Sequence, residues 1–496
     1  MSSGSASKEG KDRLGPILLP IGQIERDDDV YPRQSVSRAT VDSYLESLRA
    51  GARFPAIVVQ RISEDEGERT ICLDGWHRLE AYREYDRQNG SERFEEVEAT
   101  QWRDEVLDKQ QHLVDLMVRS AELNTRHGLR LPQGDIKYQL RKIAQTPDSL
   151  SLVWKDIATS LSVTPEWASE CVSGILAQKR MGRDVLMYKL SLLGWTQEQI
   201  GEVIGIDQRT VSYSTNKFNE FNSLVKSDFE KGKSLKEVAD YYHLDYPLTW
   251  AILLEGKGDL ERLKKLSESN DGLNCNPRPY DVWNFSGCHP LFGYEYEGRT
   301  PGQLVLQLLY FYTGQGDLVV DPMAGSGTTV DACLVMSRRC LAYDIDLERS
   351  KRRPEIRTGD AISVIEGLKG KPNILFLDPP YYRKKEREYG DQSISSLSRD
   401  EYLEYFRRLA KASRRRLQPD GRVALLMSDY TEDEPKESVF IHHYIHAFEG
   451  DGFTVERMIL CPLSTEQIHP DIQNRFTRDR RLARLARYLV VFRRGT

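Results

Sequence analysis

The sequence has no run of about 18 apolar residues, no Cys-x-x-Cys pair and no excess of one charge sign. The first absence argues against a membrane-spanning helix. The opening stretch, MSSGSASKEGKDR, has no apolar segment that could act as a secretory signal, so the expectation is a cytoplasmic protein without membrane contact. The seven cysteines (Cys72, Cys171, Cys275, Cys288, Cys333, Cys340 and Cys461) are odd in number and scattered, which argues against a disulfide framework and a zinc knuckle. They are expected to be reduced packing residues, and no metal site is expected. With 70 Lys and Arg against 76 Asp and Glu, the net charge is −6. A uniformly basic nucleic-acid coat is thereby excluded, and any surface for phosphates must be local.

What is present is length and apolar material. A chain of 496 residues corresponds to about three domains at ~150 residues each. A hydrophobic content of 39 % is enough to build real cores. After a Ser/Gly/Lys tail over 1–15, expected to be disordered, Ile17–Ile24, Phe54–Ile62 and Thr70–Leu73 read as strands and Ser37–Ala50 as a helix. A small α+β domain over 16–140 follows. Residues 141–256 read as an all-α domain, and 257–275, charged and rich in Ser, Asn and Gly, as a linker. Over 276–496, short apolar runs (Leu318–Val320, Leu341–Tyr343, Ile356–Arg357, Ile374–Leu377 and Arg422–Leu426) alternate with helical patterns. That alternation predicts a doubly wound, mostly parallel α/β sheet of Rossmann-like type, with ligands at the carboxyl ends of its strands.

The helical region contains a weak repeat of roughly 40 residues. Asp156-Ile157-Ala158 precedes Leu161-Ser162-Val163-Thr164 and Ala168; Gln199-Ile200-Gly201 precedes Ile204-Gly205-Ile206-Asp207 and Val211; Glu237-Val238-Ala239 precedes Tyr242-His243-Leu244-Asp245 and Thr249. A small residue, a turn residue about four positions on and a later apolar anchor form the packing pattern of a helix-turn-helix. The second unit presents Gln208, Arg209, Thr210, Ser212 and Tyr213, side chains able to bond base edges or phosphates. The first offers mainly Glu166 and Trp167 and the third Tyr246 and Trp250, which suit packing or protein contact better.

In the last region Asp321-Pro322-Met323-Ala324-Gly325-Ser326-Gly327-Thr328 follows a strand and opens a helix, so bare backbone can lie against a ligand at a helix N-terminus. Val330 stands where a dinucleotide loop has its third Gly, and the P-loop Lys is absent, which weakens NAD and ATP readings. Asp344 ends the next strand, where a carboxylate can accept from ribose hydroxyls, and Asp360-Ala361 ends the third, within reach of an adenine. Asp378-Pro379-Pro380-Tyr381 closes the fourth.

From Phe285 onward these motifs, in this order, resemble the DNA methyltransferases that methylate the exocyclic amines of N6-adenine or N4-cytosine. The resemblance covers about 200 residues and implies S-adenosyl-L-methionine as cofactor. It makes Asp321 to Thr328 the cofactor loop, Asp344 and Asp360 with Ala361 the ribose and adenine contacts, and Thr300, in Glu297-Gly298-Arg299-Thr300-Pro301, part of the segment over the methionine end. Met323 stands where the family usually has Phe. Asp378 to Tyr381 resembles the catalytic tetrapeptide. Its Asp378 carboxylate and Pro379 carbonyl would accept from the amine and orient its lone pair, while Tyr381 stacks on a flipped base. The acidic first residue favours adenine over cytosine within this family. Arg383, Lys384 and Lys385, beside the tetrapeptide, are a candidate phosphate clamp on double-stranded DNA. Arg475, Arg478, Arg480, Arg481, Arg484 and Arg487 are either a second clamp or a solvated helical face, because Leu482, Leu485 and Leu489 fall at helical spacing among them.

Near the N-terminus, Asp74-Gly75-Trp76-His77-Arg78 lies between a strand and a helix. With Leu18-Leu19-Pro20-Ile21, Arg33 and Asn124-Thr125-Arg126-His127-Gly128 it resembles the ParB and sulfiredoxin superfamily, which implies a nucleotide or phosphate at Gly75, His77 and Arg78. The alternative is that His77 and Arg78 cap and pair inside their own domain. The ParB-type CTP-binding motif is altered, so CTP hydrolysis is not expected. Taken together, the expectation is a DNA adenine-N6 methyltransferase, nucleoid-associated and of prokaryotic or viral origin, guided to its site by the ParB-like and helix-turn-helix half. The alternatives are an N4-cytosine enzyme and a ParB-like partition or regulatory protein whose last domain senses S-adenosyl-L-methionine. Recognition sequence and oligomeric state stay open.

Overall fold

The computed structural model describes residues 16–495, except 66, 127–129, 271, 286, 296–297, 352, 383–393, 431–437, 463–469, 481 and 483–484. The chain forms two compact units, 1–181 and 182–496.

The first unit is built on a mixed sheet of β1 (Ile17–Pro20), β2 (Ile24–Glu25), β3 (Ile57–Glu64), β4 (Gly67–Asp74), β5 (Glu96–Gln101) and β6 (Leu107–Asp108), ordered β1-β5-β3-β4-β2 with β6 alongside β3. Successive side chains of a strand face opposite sides, and β4 shows it: Cys72 packs with Val41, Leu48 and Leu79, whereas Ile71 and Leu73 pack with Leu116 and Leu123. Thus α1 (Arg38–Arg49) and α2 (Trp76–Asn89) cover one face and α3 (Lys109–Arg126) the other. Helices α4 (Gln133–Gln145), α5 (Trp154–Ser160) and the start of α6 (Pro165–Leu192) share a further core around Leu140, Ile157 and Val172.

In the second unit come α7 (Gln197–Ile204), α8 (Gln208–Glu230), α9 (Leu235–Tyr242), α10 (Tyr246–Leu253), α11 (Asp259–Ser269) and α12 (Gly302–Tyr312). The α/β part follows with β7 (Leu318–Asp321), α13 (Thr328–Val335), β8 (Arg339–Asp344), β9 (Ile356–Thr358), α14 (Ala361–Gly367), β10 (Ile374–Leu377), α15 (Arg399–Arg416), β11 (Arg422–Met427), α16 (Ile441–Gly450), β12 (Phe453–Leu460) and β13 (Tyr488–Arg494). Seven strands form one sheet in the order β12-β13-β11-β10-β7-β8-β9. The pairs from β11 through β9 are parallel, and β13 runs against both its neighbours. The terminal arginine-rich segment divides: Pro470–Arg478 is helical, whereas Leu489, Val490, Val491 and Phe492 of β13 are consecutive and all buried, which suits a central strand with both faces covered.

The three repeats share one backbone device. In each, a left-handed residue ends the first helix: Ser162 (φ 56°), Gly205 (φ 74°) and His243 (φ 53°). The next N–H then reaches back to the small residue's carbonyl, Val163 to Ala158 at 3.0 Å, Ile206 to Gly201 at 3.0 Å and Leu244 to Ala239 at 2.9 Å. This wide back-bond closes the helix while the chain turns. The last two repeats do not stand apart from the sheet, because Trp195, Ile200, Val211, Trp250 and Leu254 share one core with Val319, Phe376 and Leu426. Residues 257–275, expected to be a linker, carry α11 instead: Leu263 and Leu266 enter that core, and buried Arg262 donates to the Val335 carbonyl at 2.7 Å.

Gly201 lies against the turn that it serves: a Cβ there would come within 2.6 Å of the Ile206 carbonyl oxygen, whereas one at Gly182 in α6 would meet nothing within 4 Å. Gly201→Ala should therefore lower stability by about 1–3 kcal/mol through overpacking. Gly182→Ala should raise it by about 0.5–1 kcal/mol through helix entropy. Urea titration of the full chain measures both.

Candidate active site

Strand order reverses between β7 and β10: the chain proceeds outward through β8 and β9 on one side and through β11 on the other. No crossover helix covers the gap at such a point, so a crevice opens at the carboxyl ends. Asp321 ends β7 and Asp378 follows β10, so the topology brings the two carboxylates to that crevice. The Asp321 side chain, 2 % exposed, accepts from the Met323 N–H at 3.0 Å. Burial, with Asp378 and Asp344 adding like charge, pushes its carboxyl up to about 7 against the hydrogen bonds from Thr329 and Met323.

The loop after β7 is fastened at its back and open at its front. Ala324 N–H donates to the Tyr343 carbonyl at 2.8 Å, and Gly325 N–H to the Asp344 carboxylate at 2.7 Å. Asp344, 8 % exposed, also accepts from Asp346 N–H at 2.9 Å. Gly325 has φ 49°, and a Cβ there would meet nothing within 4 Å, so the loop leaves room against bare backbone. Gly327 (φ 89°) has none: its Cβ would lie 2.6 Å from an Arg353 nitrogen. Pro322, Ala324, Ser326 and Thr328 are buried and Met323 is half-buried. Asp360, exposed, caps α14 by accepting from Ser363 N–H at 3.0 Å, and Ala361 is the buried first residue of that helix.

At the tetrapeptide, the Thr300 hydroxyl donates to the Asp378 carboxylate. Arg299, next to it, donates to the Gly293 carbonyl at 2.8 Å and the Cys288 carbonyl at 3.0 Å, which secures that segment; Glu297 lies outside the described residues. Tyr402, fully buried on α15, donates to the Pro380 carbonyl at 3.1 Å. The Tyr382 ring is buried between Tyr402 and Tyr430, at 5.0 and 5.2 Å, so the chain after Tyr381 is anchored by aromatic packing. Tyr402 was not apparent in the sequence, where its spacing with Phe406 and Leu409 reads as ordinary helical core.

A chain of charges, buried except for Asp245 at its end, backs the loop. Arg353 pairs with Asp331 on α13 at 2.6 Å and with Glu355 at 3.4 Å; Lys189 pairs with Glu355 and, at 2.6 Å, with Asp245, the N-cap of α10. Burial opposes the charge on Glu355, but Lys189 and Arg353 hold its carboxyl down at about 2.

Of the other anticipated residues, Gln208 and Arg209 are exposed on the first turn of α8, and Tyr213 is 65 % exposed with the Lys217 ammonium 4.3 Å from its ring centre. Thr210 uses its hydroxyl on the capping carboxylate of Asp207 at 2.7 Å, and Ser212 is half-buried. Arg383, Lys384 and Lys385 lie outside the described residues. In the first unit, Gly75 (φ 100°) begins α2 with no room for a Cβ, which would meet Ile57 at 2.6 Å. Arg78 donates to Asp74 at 2.9 Å and to the Pro55 carbonyl at 2.6 Å. Buried His77 accepts from the Ser37 N–H at 3.0 Å, and burial with nearby Arg33 lowers its pKa to about 4. Both side chains therefore serve their own domain as they stand. His127 and Gly128 lie outside the described residues.

Residues 204–352 match the family model of the N6/N4 DNA methylases. The match spans the loop after β7 and Asp344, and ends before Asp360 and the tetrapeptide. S-adenosyl-L-methionine is the cofactor that goes with it. No curated protein matches the sequence. Among solved structures, TrmN from Thermus thermophilus aligns at 16 % identity over 40 % of this chain and 50 % of its own, TM-score 0.27, so the chain spans half the length of that protein. A methyltransferase from Pyrococcus furiosus aligns at 16 % identity over 48 % of this chain and 97 % of its own, TM-score 0.26. A sarcosine dimethylglycine methyltransferase from Galdieria sulphuraria aligns at 12 % identity over 39 % and 85 %, TM-score 0.28. Among the described residues no helix is long and apolar enough to cross a membrane.

The raised Asp321 carboxyl makes a signed prediction. Folding favours its protonated form, so its contribution is favourable at pH 4 and is lost as pH rises through about 7. Asp321→Asn should flatten the decline of stability between pH 4 and 7, by a change in unfolding free energy on the order of a few kcal/mol. Parallel thermal melts of the two proteins, without added ligand, measure it.

Proposed function

We propose that the chain is a DNA methyltransferase acting on the N6 amine of adenine in double-stranded DNA, with S-adenosyl-L-methionine as methyl donor. The observation that carries the reading is Asp378-Pro379-Pro380-Tyr381 at the switch point beside Asp321, downstream of a segment that matches a DNA methylase model. The bound cofactor supplies an electrophilic methyl group. The residues present fit it: an open loop at Gly325, a buried acceptor in Asp344 and an exposed acceptor in Asp360. Asp378 and the Pro379 carbonyl accept from the two N–H groups of the target amine and orient its lone pair, a gain of geometry and electrostatics. Tyr381 stacks on the base once it leaves the duplex. Thr300 fixes one oxygen of Asp378, and Tyr402 holds the Pro380 carbonyl one residue beyond the Pro379 acceptor, which restrains the backbone of the tetrapeptide.

Nucleoside mass spectrometry of DNA from cells expressing the intact chain or its Asp378→Ala variant tests this. N6-methyladenine with the intact chain alone is the expected result. N4-methylcytosine in its place would move the substrate to cytosine, and no methylated base in either sample would refute the reading.

In the same proposal α8 lies on DNA through Gln208, Arg209 and Tyr213, with Arg383, Lys384 and Lys385 as further phosphate contacts. The first unit, read as ParB-like with a nucleotide or phosphate at Gly75, His77 and Arg78, helps to choose the site. Exposure of the first turn of α8 supports the former, and the internal partners of His77 and Arg78 leave the latter resting on sequence resemblance. Arg209→Ala should weaken binding across DNA sequences and reduce the salt slope of log K by about 1 if it contacts a phosphate. Filter binding at three or more salt concentrations reads that slope.

A further inference from the structure

A cavity of about 530 Å³ opens in the second unit between residues 182–189 of α6, the turn joining α9 to α10, the segment 290–294 and the segment 351–355. That is the size of a small-molecule site. None of Asp321, Asp344, Asp360 and Asp378 lines it, so it is separate from the crevice at β7 and β10. Leu186, Leu244, Pro247 and Leu291 supply apolar wall, and Tyr246 and Tyr294 are its aromatic members, 39 % and 41 % exposed. Lys189, Asp331, Arg353 and Glu355 also line it, each 8 % exposed or less, and they satisfy one another as ion pairs. Asp245 is likewise committed, to Lys189 and to the Leu248 N–H at 2.8 Å. Two charged lining residues are left over, Lys351 and Asp240, both exposed and neither in an ion pair among the described residues.

Those two groups set the chemistry of a guest. Lys351 has φ 50°, a left-handed conformation uncommon outside glycine and met mostly where function over-determines the backbone. Its ammonium lies 5.0 Å from the centre of the Tyr294 ring, and the Arg353 guanidinium 5.7 Å from it. A cationic guest at that ring would meet like charge, whereas an anionic group gains Lys351, the cation not already matched by a carboxylate. The apolar wall and Tyr246 suit a flat ring, and Asp240 suits an N–H or O–H donor. We propose that the cavity is a second ligand site, for a nucleoside monophosphate, and that it regulates the cofactor loop. The wall touches the back of that loop: Tyr294 N–H donates to the Ser326 carbonyl at 3.2 Å, and Asp331 on α13 accepts from Gly293 N–H at 2.7 Å. A Cβ on Gly293 would lie 2.5 Å from the Ser326 hydroxyl oxygen and 2.7 Å from that of Thr328, so a guest that shifts 293–294 shifts the loop. Such coupling acts equally in both directions.

The test is equilibrium dialysis of the full chain with AMP, GMP, CMP and UMP, in the absence and presence of S-adenosylhomocysteine. At least one nucleotide should bind with a Kd below about 1 mM. Inorganic phosphate and the matching nucleoside should each bind about 10-fold more weakly or worse, because each offers half of the contacts. Lys351→Gln should weaken the nucleotide by about 10-fold, the order of one hydrogen bond to a charged group, and Lys351→Glu by more. Melting temperatures show that the variants fold, and should one fail the other decides. Rising S-adenosylhomocysteine should shift the nucleotide Kd by about 5-fold or more and then reach a plateau, and the nucleotide should shift the S-adenosylhomocysteine Kd by the same factor. A Kd that rises without a plateau means competition for the cofactor crevice and overturns the second site. No nucleotide binding, or binding that neither Lys351 variant weakens, overturns it as well. Unchanged cofactor affinity at saturating nucleotide overturns the regulatory link. Only binding is read, so the outcome is independent of which base the chain methylates.

Discussion

Arg353 is buried between Asp331 and Glu355, and much of the second unit is arranged around that guanidinium. It lies where a Cβ on Gly327 would be, and so requires glycine at the last turn of the loop. Through Asp331, which also accepts from Gly293 N–H at 2.7 Å, it orders the segment preceding Arg299 and Thr300. Through Glu355 it reaches Lys189 and then the cap of α10. Removing one partner of such a buried pair typically costs about 3–5 kcal/mol, because it strands an uncompensated charge. The loop, the segment that bonds Asp378 and the last helical repeat thus depend on one ionic chain.

That dependence fits the way the helical repeats are joined to the sheet. Trp195 donates from its indole nitrogen to the Cys340 carbonyl at 3.1 Å while Arg357 covers its ring at 4.0 Å, and Arg338, fully buried, pairs with Asp259 on α11. Repeats two and three are consequently part of the same core as the parallel sheet. A surface on α8 and the crevice at β7 and β10 stand on the same packed body, so the first turn of α8 can be placed relative to the crevice by packing rather than by a tether.

The acidic balance of the chain also acquires a location. Asp321, Asp344 and Asp378 converge on one crevice. Burial, with their mutual repulsion added, raises the Asp321 carboxyl. A net charge of −6 is compatible with a site for DNA because charge is apportioned locally, with Arg209 and Lys217 exposed on α8.

Much of this could be read before any coordinates. The five apolar runs anticipated as strands are β7 to β11, since a parallel strand covered on both faces is a short unbroken apolar run. The repeats were legible because a left-handed turn and a close helix crossing demand particular small residues, as Gly201 and Gly205 illustrate. The segment over 257–275 was misread because its polar composition hides Leu263, Leu266 and Arg262 on one buried face, and the last strand because arginines interrupt the approach to it. Local chemistry, then, was determined by sequence: which residues turn, which strands are buried, which loop and tetrapeptide carry acceptors. Tertiary structure alone decided the pairings across long separations, Tyr402 with Pro380, Arg353 with Asp331 and Thr300 with Asp378, because these depend on strand order, which no local pattern encodes.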